Sequence, residues 1–396
     1  MTTQFVSSLS QEGDSAKAGR SVAHEGKLKL GGNAPNLGLL FCSSNYDYPA
    51  VLEGIKSAIG NIPLVGCSSA GGFTEEGMVR KGIILALISS NTHQFYTGLG
   101  QNIQNNEIAA LTAACKRFPD SIKDYSNLSA LLFVDGLVGM GEETVLAASG
   151  IFNERVKFAG GAAADNLEFK KTQVFCDKQV AEDAVSICYT ASKQPIIIKV
   201  GHGHRALSEP LTITKAQGSI LYEIEGEPAA HVWREQLKKK AKELGLSVQD
   251  IENPNNFSRL LLKHEAGLVT RAGYKIRFPI SCNADGSLNF VCTITEGTII
   301  KIMDSTPDDQ IASARATATA AFEAAKNTKI AGAIIFDCAC RGMILKERYK
   351  EAVVAMKIAL GYTPLIGVQT YGEIAMEEGE ISGFHNTTTV IALIPD

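Results

Sequence analysis

A repeat with an offset of 301 residues limits what this chain can fold into. Pro63-Leu64-Val65-Gly66 returns as Pro364-Leu365-Ile366-Gly367, and Gly71 and Gly372 keep the same offset. Each copy reads as a short buried strand, a Gly-containing turn, an acidic loop and a second apolar strand. The closing strands run from Ile83 to Ile88 and from Val390 to Ile394. A loop holding Cys67-Ser68-Ser69 in one copy and Thr370-Tyr371-Gly372-Glu373 in the other presents polar side chains from an apolar scaffold.

Taken in order, the chain makes three passes through strand, helix, strand, helix, strand, polar loop and returning strand. The first runs from Thr3 to Ile88, with strands at Thr3 to Ser7, Leu37 to Cys42 and Leu64 to Val65, and helical spacing from Asp47 to Ile59. The second has strands at Gln94 to Leu99, Ala130 to Val134 and Val156 to Gly160, with helices over Asn106 to Phe118 and Glu142 to Phe152. It is completed by Val174 to Cys176, Ala184 to Thr190 and Pro195 to Val200. The third begins with a strand at Ile299 to Met303, then a helix over Asp308 to Ala325, a strand over Ile330 to Phe336 and a helix over Arg348 to Leu360. A period of about 100 residues is too long for a solenoid and marks duplication of a subdomain. The segment Gly201 to Gly297 does not repeat; the turn Asp285-Gly286 predicts a hairpin of Tyr274 to Ile280 against Ser287 to Thr293. The expected fold is therefore mixed α/β, with duplicated subdomains forming mixed, largely parallel sheets and a β-rich insert. Two domains are expected, residues 1–228 and 229–396.

Composition narrows the function. A net charge of −4 over 396 residues argues against a large surface for nucleic acid or anionic membrane. The N-terminus lacks a basic region followed by an apolar core, no apolar run reaches membrane-spanning length, and nine cysteines show no framework spacing. A cytoplasmic protein with free thiols is the expectation.

Several loops resemble those of the FIST (F-box and intracellular signal transduction) family. They are Gly66-Cys67-Ser68-Ser69-Ala70-Gly71, Gly160-Gly161-Ala162-Ala163-Ala164-Asp165, Gly367 to Glu373 and Phe384-His385-Asn386-Thr387, joined by Ile220 to Ala229 and Gly273 to Arg277. The resemblance covers roughly residue 35 onward. It implies an N-terminal and a C-terminal domain forming a sensory module for small ligands, with amino acids the proposed class and a signalling protein as partner. One free-standing branch carries haem and senses nitric oxide for a kinase. The first loop departs from the family pattern: it ends Gly71-Gly72-Phe73, where Gly-Glu-aliphatic is usual, as in Gly372-Glu373-Ile374.

The residues then sort into expected roles. Strand ends gather Cys67, Ser68, Ser69, Asp135, Gly161, Asp165, Thr370 and Tyr371 at the edge where ligands of α/β sheets bind. Backbone N–H groups of the Gly-rich loops and Arg277 suit a carboxylate, Glu373 or Asp135 suits an ammonium, and Asn386 adds a polar contact. Tight turns, helix capping and surface ion pairing are the competing roles for these residues. His385 is the axial ligand if haem is bound, and a structural histidine otherwise. His202-Gly203-His204 lacks acidic or thiol companions in sequence, and Cys338-Ala339-Cys340 is C-x-C rather than C-x-x-C. An enzyme using Cys67 or Ser68 is the reading from another class, although no G-x-S-x-G elbow surrounds them. The leading expectation is a sensor without a cofactor, binding an amino-acid-like metabolite. With no output domain expected in the chain, it signals through a partner such as a kinase in trans.

Overall fold

A computed structural model describes residues 3–119, 122–152, 156–271, 273–326, 328–376 and 383–396. The third acidic loop of the repeat, at 377–382, lies outside the described residues. The body of the protein consists of three units with one topology. Each has a leading strand (Thr3–Ser10, His93–Gln101, Ile197–His202), a middle strand (Leu37–Ser43, Asn127–Val134, Ile330–Cys338), a third strand (Leu64–Ser69, Val156–Ala162, Leu365–Thr370) and a returning strand (Ile83–Ser90, Ala184–Ser192, Thr388–Pro395). In all three sheets the order is leading, returning, middle, third. Middle and third strands pair in parallel. A helix packs between them in each unit, because a parallel pair needs a crossover: Tyr48–Ile59, Gly141–Phe152 and, in the third unit, Tyr349–Ala359.

The polar loops bind the units to one another. After its third strand each unit sends out a short hairpin, which extends the sheet of another unit. Gly72–Thr74 of the first pairs with Leu365–Thr370 of the third; Glu373–Ala375 of the third pairs with Val156–Ala162 of the second; Val174–Cys176 of the second pairs with Leu64–Ser69 of the first. The exchange closes a ring of three. Inside it the middle strands place Phe41, Phe133 and Phe336 in mutual contact, with ring centroids 5.6, 6.3 and 6.0 Å apart, all fully buried. The conserved offset of the glycines has a steric cause here. A Cβ on Gly66 would lie 1.8 Å from the Leu40 carbonyl oxygen, and one on Gly367 would lie 2.1 Å from the ring of Phe73, delivered by the first unit's hairpin.

Three sequence expectations change. Ile299–Asp304 is not the third unit's leading strand: it pairs with Ala266–Thr270 and Leu211–Gln217, and Ile300 and Ile302 enter the core of the insert. Ile197–His202 takes the leading place beside the returning strand, so the insert begins within the third unit, between its leading strand and the helix Pro307–Ala325. The expected hairpin is shorter, with Pro279–Cys282 against Leu288–Phe290, while Gly273–Arg277 turns to pair with Ala266–Thr270. Pro279 lacks an N–H and divides the strand. The class is mixed α/β as expected, but parallel pairing is confined to one pair in each body sheet, because the returning strands and exchanged hairpins are antiparallel. The insert has its own nine-stranded sheet and a core around Trp233, whose indole N–H donates to the His264 carbonyl at 3.1 Å.

If the three phenyl rings hold the units together, Phe133→Ala should cost about 3–5 kcal/mol, the usual range for a buried Phe. Urea unfolding should show Phe41→Ala and Phe133→Ala to be non-additive by more than about 0.5 kcal/mol. Strict additivity would separate the triad from ring closure.

Candidate functional site

The three polar loops meet at the strand ends, and they meet by bonding one another. Ala164 N–H donates to the Ser68 carbonyl at 2.9 Å, Tyr371 N–H to Ala162 at 3.0 Å, and Ala162 N–H to Gly372 at 2.8 Å. Ala70 N–H donates to Gln369 at 3.1 Å and Gln369 N–H to Gly71 at 2.9 Å. These donors are thereby withdrawn from the carboxylate they were expected to hold. Gly161 sits opposite Glu373 in the exchanged pairing, where a Cβ would strike Thr370. Cys67 is sealed among core side chains, and burial pushes its thiol well up. Ser68 is fully buried with Oγ accepting from Gln173 N–H at 3.0 Å, and Ser69 is buried beside it. Neither Cys67 nor Ser68 is within reach of a substrate, which corrects their assignment as ligand contacts or nucleophiles.

Glu373 is corrected in the same way. It is fully buried, accepts from Thr370 Oγ1 at 3.0 Å, Thr388 Oγ1 at 2.9 Å and Thr388 N–H at 3.2 Å, and meets no open space. Burial, assisted by the nearby Cys338 thiol, raises its pKa well above 4.5 despite the threonine donors. Asp135 is buried too; burial raises its pKa against the donors Thr172 Oγ1, Asp183 N–H and Leu137 N–H. Its carboxylate pins Leu137 at the end of the middle strand.

Arg277 does not await a carboxylate. Its guanidinium is 2% exposed, pairs with Glu142 at 2.7 Å and donates to the Phe384 carbonyl at 3.1 Å. The adjoining loop completes the same seam between insert and body. Asn386 Oδ1 accepts from Phe278 N–H and Cys292 Sγ, both at 3.4 Å, and Thr387 Oγ1 donates to the buried Glu265 at 2.8 Å. His385 Nε2 donates to the Ala375 carbonyl at 2.9 Å. Burial lowers its pKa to about 3, so the ring is neutral. Among the described residues the imidazole is enclosed in the seam and is not part of the lining of the cavity that follows. Among the described residues no group of three His, Cys, Asp or Glu is arranged to hold a metal ion.

Where the strand ends of the second and third units face the insert, a cavity of about 360 Å³ remains. Its walls include Leu137, Phe169, Tyr371 and Met343 from the body and Phe278 and Val291 from the insert, and its lining residues carry no charged side chain. The Asp165 loop builds one wall under strain. Asn166, Leu167 and Phe169 have φ of +55°, +65° and +53°, unfavourable for L-residues and most of all for Leu and Phe. Asp165 holds the loop in that shape by accepting from the N–H groups of Phe169, Lys170 and Lys171 at 2.8, 2.6 and 2.8 Å, and from the Tyr371 hydroxyl at 2.6 Å. Burial works to raise its pKa, but these donors win and hold it below the usual carboxylate value. Phe169 stacks on Tyr371 with centroids 4.8 Å apart, yet stays 60% exposed. A backbone strained to keep a Phe at an open apolar mouth is shaped for something other than stability.

Comparison with known proteins matches two family models in succession along the chain. A FIST N domain model matches residues 36–227, and a FIST C domain model matches residues 229–376. The chain belongs to the FIST family. The uncharacterized protein MJ1623 of Methanocaldococcus jannaschii is 24% identical over 272 residues, 66% of this chain, and the chain spans about half, 52%, of that protein's length. FIST domains are associated with small-ligand sensing and signal transduction. The returning strand Thr388–Pro395 and the leading strand Thr3–Ser10 fall outside both FIST matches, yet complete two of the three sheets. No helix among the described residues is long and apolar enough to cross a membrane.

Of the expected ligand contacts, Tyr371 lines the cavity, Asp135 and Asp165 shape its wall, and Thr370 and Asn386 support the elements around it. Phe169, Phe278 and Val291 were missed. Phe169 and Phe278 lie close to singled-out residues, four after Asp165 and one after Arg277, but a lone aromatic in a loop carries no signal of which space it faces.

Two outcomes follow. Arg277→Ala should destabilise the protein by about 3–5 kcal/mol, as when one partner of a buried ion pair is removed, and hydrogen exchange should speed up at 384–387. The second concerns pH. The Glu373 carboxyl ionises near 4.5 when unfolded and at higher pH when folded, so its contribution is intact below 4.5 and falls as pH rises towards the folded value. Glu373→Gln removes that loss, and its stability relative to wild type should grow by about 1.4 kcal/mol per pH unit across this window. Denaturation midpoints at pH 5 and pH 8 that differ equally from wild type would show Glu373 to be ionised in the fold.

Proposed function

We propose that this FIST protein is an intracellular sensor that takes a small molecule into the cavity between body and insert and reports its presence to a signalling partner in trans, with a kinase as the family-implied candidate. The observation that carries this reading is the strained Asp165 loop, which keeps Leu167 and Phe169 at the mouth of an apolar space of ligand size. The cavity joins the insert to the strand ends of two units, so occupancy biases how the insert sits on the body. The amino-acid-like ligand expected from the resemblance keeps only its apolar part in this reading. An aromatic or branched group suits the walls, while Arg277 and Glu373 are engaged by Glu142 and by Thr370 and Thr388.

The lining suits an apolar ligand, because it offers apolar surface with the Tyr371 phenol and the Cys340 thiol beside it. A thermal-shift screen of small apolar metabolites tests it, since a ligand that binds only the folded state raises the melting temperature. Val291→Trp, which fills the cavity from the insert side, should abolish any shift while leaving the fold intact, and Phe169→Ala should weaken binding at least about tenfold. Shifts that survive both substitutions would place the ligand elsewhere.

A further inference from the structure

Beside the apolar cavity lies a second, larger space of opposite character. A cleft of about 650 Å³ shares Leu167, Ala339 and Met343 with it, and runs between the first unit's exchanged hairpin and the helical segment 339–350 of the third unit. The charged residues lining this cleft are Arg80, Lys81, Lys346 and Lys350 against a single acid, Glu347. The chain as a whole carries a net charge of −4. A cluster of four cations around one concavity therefore reverses the sign of the molecule locally, and a cleft with low-dielectric walls concentrates that field. Arg80 reaches across to Glu347 at 3.3 Å, but both side chains are more than four-fifths exposed, so the pair is weak and gives way readily to a competing anion. Lys346 is held there by an unfavourable backbone, with φ of +51°.

We infer that the ligand of the cavity is an organic anion with an apolar body, such as an alkyl or aryl carboxylate, whose body fills the uncharged chamber and whose head lies among Lys81, Lys346 and Lys350. This rests on the proposed sensory cavity and adds the ligand's charge and polarity. The same arrangement disfavours a zwitterion, because an ammonium beside the carboxylate meets the same cations.

Calorimetric titration of the full chain with octanoate, octanol and octylamine, which share one apolar body, separates the two claims. Octanoate should bind at least about tenfold more tightly than octanol, and octylamine most weakly. Lys81→Glu combined with Lys346→Glu, both exposed positions, should remove the advantage of octanoate while leaving octanol binding unchanged. Raising the salt concentration should narrow the same gap. Equal affinity for octanoate and octanol, or a preference that survives the charge reversal, overturns the anionic head while the cavity reading stands. Binding by none of the three, or binding unaffected by Val291→Trp, overturns the cavity reading and this inference with it.

Discussion

The structure depends on backbone hydrogen bonds that each unit makes to another unit's third strand. A strand edge left open exposes a row of unpaired N–H and C=O groups, which is both unfavourable when buried and a template for aggregation. Each third strand of this protein is such an edge, and each is closed by a hairpin from elsewhere in the chain. Because the exchange runs first to third, third to second and second to first, no unit completes its own sheet. The Phe41–Phe133–Phe336 contact then packs the three middle strands against one another. Removing any hairpin reopens an edge in a unit far away in sequence.

This closure decides what the polar loops do. Gly-rich turns at strand ends are the usual place for a ligand in an α/β sheet, and their exposed N–H groups are the usual reason. Here the same groups bond the neighbouring loop, and Glu373, Thr370 and Thr388 bond one another inside the junction. The apolar cavity lies one layer further out, where the ends of the second and third units meet the insert, and its body side comes from residues that follow the strands. The seam made by Arg277, Glu142, Asn386 and Thr387 sets how far the insert stands from the body, and so sets the size of that space.

Much of the fold is legible in the sequence. Apolar runs of strand length, helical spacing and Gly-bearing turns locate nearly every body element, since these patterns express local preferences of the backbone and of burial. The repeat at Pro63 and Pro364 is legible because close approaches, to the Leu40 carbonyl and to the Phe73 ring respectively, exclude a side chain at Gly66 and Gly367. Pairing is less legible. Ile197–His202 and Ile299–Asp304 are both plausible leading strands by composition, and their assignment rests on partners more than 30 residues distant.

By itself, the sequence determined a mixed α/β protein of duplicated units with an insert, its FIST membership, and the importance of the loops at 66–71, 160–165 and 367–373. Tertiary structure alone decided that those loops bond one another, that Glu373 is enclosed with its pKa raised by burial, and that Arg277 pairs with Glu142, 135 residues away. The reason is physical. Helical and strand periodicity is written in neighbouring residues, whereas a backbone N–H is the same donor in every residue but proline, and its partner depends on which edge the rest of the chain brings to it. A cavity is further still from the sequence, because it is the space that packing leaves over.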